Sequence, residues 1–329
     1  MMNKRVYGVL GIASIMSNWN ADFSGFPKTT SDGNIFGSDK ALKYPMRKMW
    51  ENEGERVLYM KSLKVSVKED KKKNSSEISI VPRSLKERYE QLFNVIDLSA
   101  VRDTQTVLRN IFTAIDVKQF GATFAEAGNN ISITGAVQIG QGFNKYNGAV
   151  AEEQQILSPF RDATKDGKKD DQGENDEEKG EAKSSTLGTK IVTNEAHYFY
   201  PFVINPLAYM EYVEMGVTDG YTEEDYKKFK KAALVAATSF ATNSKIGCEN
   251  ELAVFIETKP DVYLPILSEY VFFRKQDGKN IISLEFGQLL KALADNIEKV
   301  EIYYNPYTTI IGGDVEGAKT YNIFTQKEV

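Results

Sequence analysis

The chain has 329 residues, 41% hydrophobic and 26% charged, a globular composition long enough for one large or two modest domains. One cysteine excludes an internal disulfide and a cysteine-cluster metal site. One histidine leaves a single candidate for any histidine-based chemistry, which counts against most hydrolase and zinc-enzyme classes.

Met1 to Arg5 lead into an apolar run, Val6 to Ile15, read as a buried strand in which Gly8 and Gly11 permit close backbone approach. A signal peptide is not expected, because the pattern continues as a domain. No apolar run approaches the ~18–20 residues of a membrane span, so a cytoplasmic protein without membrane contact is expected. A long polar loop follows, from Ser17 to Asp39, carrying Asn18, Trp19, Asn20, Asp22, Phe23, Phe26 and Lys28. Loops of this length are usually functional. Its aromatic residues are costly to leave in water, so they pack down or stack on bases. Asp22 has no second carboxylate nearby except Asp32 and Asp39, and reads as a structural turn or Asx cap.

Ser38 or Asp39 caps a helix predicted from Lys40 to about Glu53. Leu42, Met46, Met49 and Trp50 form its apolar face. Lys40, Lys43 and Arg47 recur on another face, suited to tracking a phosphate backbone, although a plain solvated face fits the same spacing. Pro45 should kink this helix or loosen its first turn. Arg56–Val67 and Glu77–Val81 read as paired strands, and Arg83–Val95 and Thr104–Ile115 as helices.

From Val117 to Gln155 the chain turns rich in glycine and amides. Short strands are predicted at Ile131–Thr134 and Ala136–Ile139, in a region expected to project from the core. Glycines would admit an extended ligand and amides such as Gln138 and Gln141 would contact it. Arg161 to Ser185 holds six basic and nine acidic residues, a local 6 − 9 = −3 within the total of −5; disorder is expected there. The rest is close to neutral, at −2, which still allows a basic groove.

Structure resumes at Lys190. Tyr198–Ile204 is strand-like and follows His197, which reads equally as a partly buried, hydrogen-bonded residue or as a ligand contact. Thr222 caps a helix running to about Ala241, with Tyr226, Phe229, Ala233, Ala236 and Phe240 facing the core. The turn Thr242–Gly247, with Asn243 and Lys245, is a second candidate anion-facing loop. Glu251–Glu257 and Tyr263–Phe273 are strand-like, Phe286–Ile297 is a helix, and Val300–Tyr304 a last strand. Strand–helix–strand repeated twice gives an α+β fold with an RRM-like (ferredoxin-like) core. No nucleotide-cradling glycine loop is present.

Asn18-Trp19-Asn20-Ala21-Asp22 with Gly25, then Ser38-Asp39 with Leu42, Lys43 and Arg47, then Asp116-Val117 with Phe120-Gly121, then Ile133-Thr134-Gly135-Ala136-Val137-Gln138, together resemble the repeated backbone subunit of type I CRISPR interference complexes, a RAMP-type family, nearest its type I-B branch. The resemblance extends along most of the chain. It implies an RRM-like palm with helical fingers and a projecting thumb. It also implies copies assembled head to tail along a CRISPR RNA (crRNA), which is displayed for pairing with target DNA beside other subunits of the complex. The palm would comprise residues 1–82 and 190–329, a helical insertion 83–116, and a thumb-like region 117–189 with a disordered acidic segment 161–186.

Base pairing supplies specificity in such a role, so the protein needs only shape and backbone recognition. No catalytic residue, metal or cofactor is expected. The RNA-binding set would be Asn18, Trp19, Asn20, Lys28, Ser38, Lys40, Lys43 and Arg47 on one wall, and Phe120, Gly121, Gln138 and Gln141 on the thumb side. His197, Asn243 and Lys245 complete it. Two alternatives stay open at this point: a metal-dependent ribonuclease using Asp22, and a filament protein that binds no nucleic acid.

Overall fold

A computed structural model describes residues 1–70, 75–157 and 186–329. In chain order the elements are β1 (Arg5–Ser17), β2 (Phe36–Gly37), α1 (Asp39–Asn52), β3 (Leu63–Asp70), β4 (Ser75–Pro82), α2 (Leu85–Phe93), α3 (Thr104–Phe112) and α4 (Ile115–Phe120). Next come β5 (Gly121–Phe124), β6 (Ile131–Thr134), β7 (Val137–Ile139), β8 (Gly142–Asn144), β9 (Ala151–Leu157) and β10 (Thr186–Ile204). The chain ends with α5 (Met210–Glu214), α6 (Glu223–Ser239), β11 (Cys248–Thr258), β12 (Val271–Gln276), β13 (Lys279–Leu284), α7 (Gly287–Ala292), β14 (Ile297–Tyr304), β15 (Thr309–Gly312) and β16 (Lys319–Asn322). The fold is α+β.

β1 lies at the centre of the main sheet, whose order is β16-β14-β11-β1-β10-β8-β2, with β7 and β9 also paired to β10. β1 is antiparallel to both neighbours, with Val9 level with Pro201 on one side and Val254 on the other. Its two faces are both buried. Val6, Leu10 and Ile12 enter one apolar core with α1 and α6; Tyr7 and Val9 enter a second, under β12, β13 and α7. Alternation of period 2 is what sends successive side chains to opposite cores. Gly8 is required here: a Cβ would lie 2.4 Å from the Phe202 ring and 2.0 Å from the Val254 carbonyl.

α1 begins at Ser38, whose hydroxyl accepts from Ala41 N, and buries Leu42, Met46 and Trp50 as expected. It runs through Pro45 without ending. α6 carries a capping box between Thr222 and Asp225. Asn250 of β11 holds its far end: Oδ1 accepts from Ala237 N and Thr238 N at 3.0 and 3.1 Å, and Nδ2 donates to Ala233 O at 2.9 Å.

Several expectations are corrected. The strand expected from Arg56 begins only at Leu63, because the Leu58 and Tyr59 amides donate to the Asp116 carboxylate at 2.8 and 2.9 Å instead of to a ladder. The expected strand Tyr263–Phe273 starts only at Val271, and the helix expected over Phe286–Ile297 is the short α7. Residues 117–157 do not project as a whole. Phe124, Ile131, Ile133 and Val137 enter the main core, and β7, β8 and β9 add to the main sheet. The acidic stretch 161–185 lies outside the described residues. The ribbon β3–β4 stands apart in exposing an apolar ladder, with Val65 opposite Ile80 and Val67 opposite Ile78.

Candidate nucleic-acid interface

The loop between β1 and α1 is seated by its own polar groups. Trp19 is buried and donates from Nε1 to the Tyr200 hydroxyl at 2.5 Å. Asn18, also buried, donates from Nδ2 to Gly25 O at 2.8 Å. Asn20 Oδ1 accepts from Ser38 N at 2.6 Å, and Lys28 N donates to Asn20 O at 2.9 Å. Asp22 Oδ1 accepts from Ser24 N and Phe26 N at 2.8 and 3.0 Å, an Asx turn of the kind expected. Phe23 is fully exposed at the tip of that turn.

Lys245 joins the second loop to the first. Its Nζ donates to the carbonyls of Asn18 and Trp19, each at 2.5 Å, and lies 5.6 Å from the centre of the Trp19 ring. Burial holds its pKa below the ordinary lysine value. Three segments thereby converge: the loop after β1, the start of α1, and residues 240–247 after α6. They line a cavity of about 310 Å³ with Asn20, Tyr44, Phe240, Thr242, Ser244 and Lys245 among its walls. Asn243 is exposed beside it.

The basic face of α1 divides. Lys40 is exposed and makes no ion pair among the described residues. Lys43 pairs with Asp39 at 2.9 Å, and its Nζ lies 5.1 Å from the Phe120 ring. Arg47 stacks over the same ring at 5.3 Å. Its Nε faces Asp116 Oδ2 at 3.4 Å, a charge contact outside hydrogen-bond geometry. Asp116 is wholly buried. Burial raises its carboxyl pKa and lowers that of Arg47; the pair's mutual attraction acts against both shifts, and backbone amides, those of Leu58 and Tyr59 among them, act against that of Asp116.

On the glycine-rich side the expected residues separate. Phe120 is half-buried under the two cations, and Gly121 is buried at φ +78°, where a Cβ would meet Ile133 O at 2.1 Å. Gly142 pairs with Gly37, which extends to put Gln141 level with Ser38 at the sheet edge. Gln138 instead lines an apolar cavity with Tyr7, Pro201 and Ile266, away from the loop. Trp19 and His197 are both buried, and Trp19 meets the cavity only as part of its wall. Each bears an N–H that burial obliges to find a partner. Tyr44 was not anticipated. Its signal lay in its place four residues after Lys40 on the helix, an aromatic outside the apolar face.

His197 is enclosed by charge. Nδ1 lies 2.8 Å from Glu251, Nε2 lies 3.0 Å from Glu195, and the ring stacks on Phe273 at 3.9 Å. Lys275 pairs with Glu195 at 2.6 Å, and Tyr146 meets the imidazole edge-on. Burial lowers the imidazole pKa, but Glu251 and Glu195 outweigh it and hold the group above its ordinary value. The charged imidazolium therefore contributes stability that is full below pH ~6.5 and is lost as pH rises through the folded value. His197→Gln is expected to cost about 1–3 kcal/mol at pH 6 and less at pH 9, as measured by urea unfolding; an equal cost at both would show that folding leaves the imidazole pKa unshifted, and a smaller cost at pH 6 that the folded imidazole is neutral there.

The family model described as "CRISPR-associated protein Cas7" matches residues 4–283. A chain of a solved "CRISPR RNA-guided surveillance complex, pre-nicking" superposes with a TM-score of 0.53 at 13% identity, covering 97% of this chain and 96% of that one. A chain of a second "CRISPR RNA-guided surveillance complex" gives 0.47 at 14% identity, covering 95% and 94%. No curated protein matches the chain.

Proposed function

The chain belongs to the Cas7 family of CRISPR-associated proteins, and we propose that it is a non-catalytic subunit that binds crRNA, associates head to tail with copies of itself and presents the guide for pairing with target DNA. The observation that carries this reading is the convergence of the loop after β1, the start of α1 and residues 240–247 on one cavity beside the exposed Lys40. Asn20, Lys28, Ser38, Lys40, Asn243 and Lys245 would form the RNA wall, with Gln141 across the sheet edge. Lys43, Arg47, Phe120, Gly121, Asn18 and Trp19 would support it from behind.

The order β11-β1-β10-β8, with α1 following β1 and α6 joining β10 to β11, supports an RRM-like palm. Residues 83–116 would then be its fingers. The outer part of the β9–β10 hairpin, rather than all of 117–189, would be its thumb. The exposed ladder of β3–β4 supports self-association, since contiguous exposed apolar surface marks contact sites and a heterologous contact propagates as an open assembly. No described helix is long and apolar enough to cross a membrane. Oδ1 of Asp22 accepts both amides of its own turn, which supports a structural role over the nuclease alternative.

Purification of the assembled protein followed by extraction of bound nucleic acid tests the reading. A short RNA of defined length carrying a repeat-derived tag is expected, together with collapse of the assembly under ribonuclease. Nucleic-acid-free protein whose assembly ignores ribonuclease would overturn it in favour of a purely structural filament.

A further inference from the structure

We infer that the cavity between α1 and the loop after α6 takes one unstacked nucleobase of a bound single-stranded RNA, with Tyr44 as its stacking residue; this rests on the RNA-binding reading above. Tyr44 is 46% exposed, although Leu42, Pro45 and Met46 close to it in α1 are buried. Its ring meets Phe240 edge-on, with centroids 5.4 Å apart at 65°. That contact fixes the ring's tilt while leaving part of its surface open.

The lining separates a base from a phosphate. Tyr44, Phe240, Pro45 and Trp19 supply apolar walls, and Lys245 is the one cation among the lining residues. A phosphate site would gather several positive groups or backbone amides. A nucleobase instead wants an aromatic surface and a few adaptable polar groups along its edge. Asn20, Thr242 and Ser244 are the polar side chains present. Lys245 uses two of its three ammonium protons on Asn18 O and Trp19 O, which leaves one donor. A volume near 310 Å³ is at the small end of ligand pockets. Every base has a π-face, so the site would hold the strand without reading its sequence.

The test measures affinity of the full chain for a short single-stranded RNA and for the same RNA with internal abasic positions, each over a salt series. Wild type is expected to prefer the intact RNA. Tyr44→Ala should weaken intact RNA at least about fivefold, leave the abasic RNA as it was, and keep the slope of log K against log salt, with Tyr44→Phe restoring the affinity. Lys40→Ala is the contrast: it should reduce the slope by about 0.7, as for one lost phosphate contact. Equal weakening of intact and abasic RNA by Tyr44→Ala, or no weakening, overturns the pocket while leaving RNA binding intact. Wild-type protein that binds neither RNA at any salt overturns both.

Discussion

Replacing Arg47 with alanine is expected to lower the free energy of unfolding by about 3 kcal/mol, the lower end of the cost of leaving a buried charge without its partner. The carboxylate in question, Asp116, has no exposed surface, and Arg47 faces it at 3.4 Å. The Leu58 and Tyr59 amides still hold Asp116, which keeps the loss below the upper end of the range. The guanidinium also covers Phe120, so its removal exposes apolar surface as well as charge. Asp116→Asn in the Arg47→Ala background removes the stranded charge and should recover a large part of the loss. A double-mutant cycle by urea unfolding measures that coupling. Arg47→Ala within ~0.5 kcal/mol of the parent, the range of an ordinary surface change, would show that Asp116 is neutral or solvated. Any RNA-binding defect of Arg47→Ala must therefore be compared at equal folded fraction, whereas Lys40→Ala has no such entanglement.

The sequence was legible where one physical rule acted alone. β1 follows from its apolar run, and α1 and α6 from apolar periodicity with a capping residue, and they are the elements that position the interface. The Asx turn at Asp22 follows from the shortage of acidic partners. It was illegible where long-range contacts decide. Helical spacing places Lys40, Lys43 and Arg47 on one face, but only the fold shows that Asp116, nearly seventy residues on, claims Arg47. The same carboxylate takes two amides that a local reading gives to a strand. Glycines between 121 and 148 read as room for an extended ligand, yet at Gly121 and Gly142 they serve close packing, against Ile133 O and the Tyr200 ring respectively. β13 was missed although Asp277-Gly278, both at positive φ, is the dipeptide of a tight hairpin. Tyr44 is hidden in the sequence by Lys40, Lys43 and Arg47 around it, whose spacing points to phosphates rather than to a base.

The aromatics between Asn18 and Lys28 were expected either to pack or to stack on bases, and exposure now separates Trp19 and Phe23 into opposite experimental predictions. Trp19→Ala should cost about 3–5 kcal/mol, as for a large core aromatic truncated to alanine. The indole is buried against Tyr200, whose hydroxyl has its one hydrogen bond among the described residues from Trp19. Gly37 is pressed against both: a Cβ there would lie 2.8 Å from the indole and closer still to the Tyr200 hydroxyl. Removing Trp19 thus unseats β2, the Ser38 cap and the Lys245 contact together, and RNA affinity should fall with stability. Phe23 is fully exposed, so Phe23→Ala should leave stability within ~0.5 kcal/mol of the parent. A loss of RNA affinity in that variant alone would make Phe23 a stacking contact, and unchanged affinity would make it a bystander. Urea unfolding in parallel with RNA titration separates the two variants. A Trp19→Ala protein within 1 kcal/mol of the parent would mean that the loop is not held by its tryptophan, and the preformed wall argued for Asn20, Ser38 and Lys245 would fail with it.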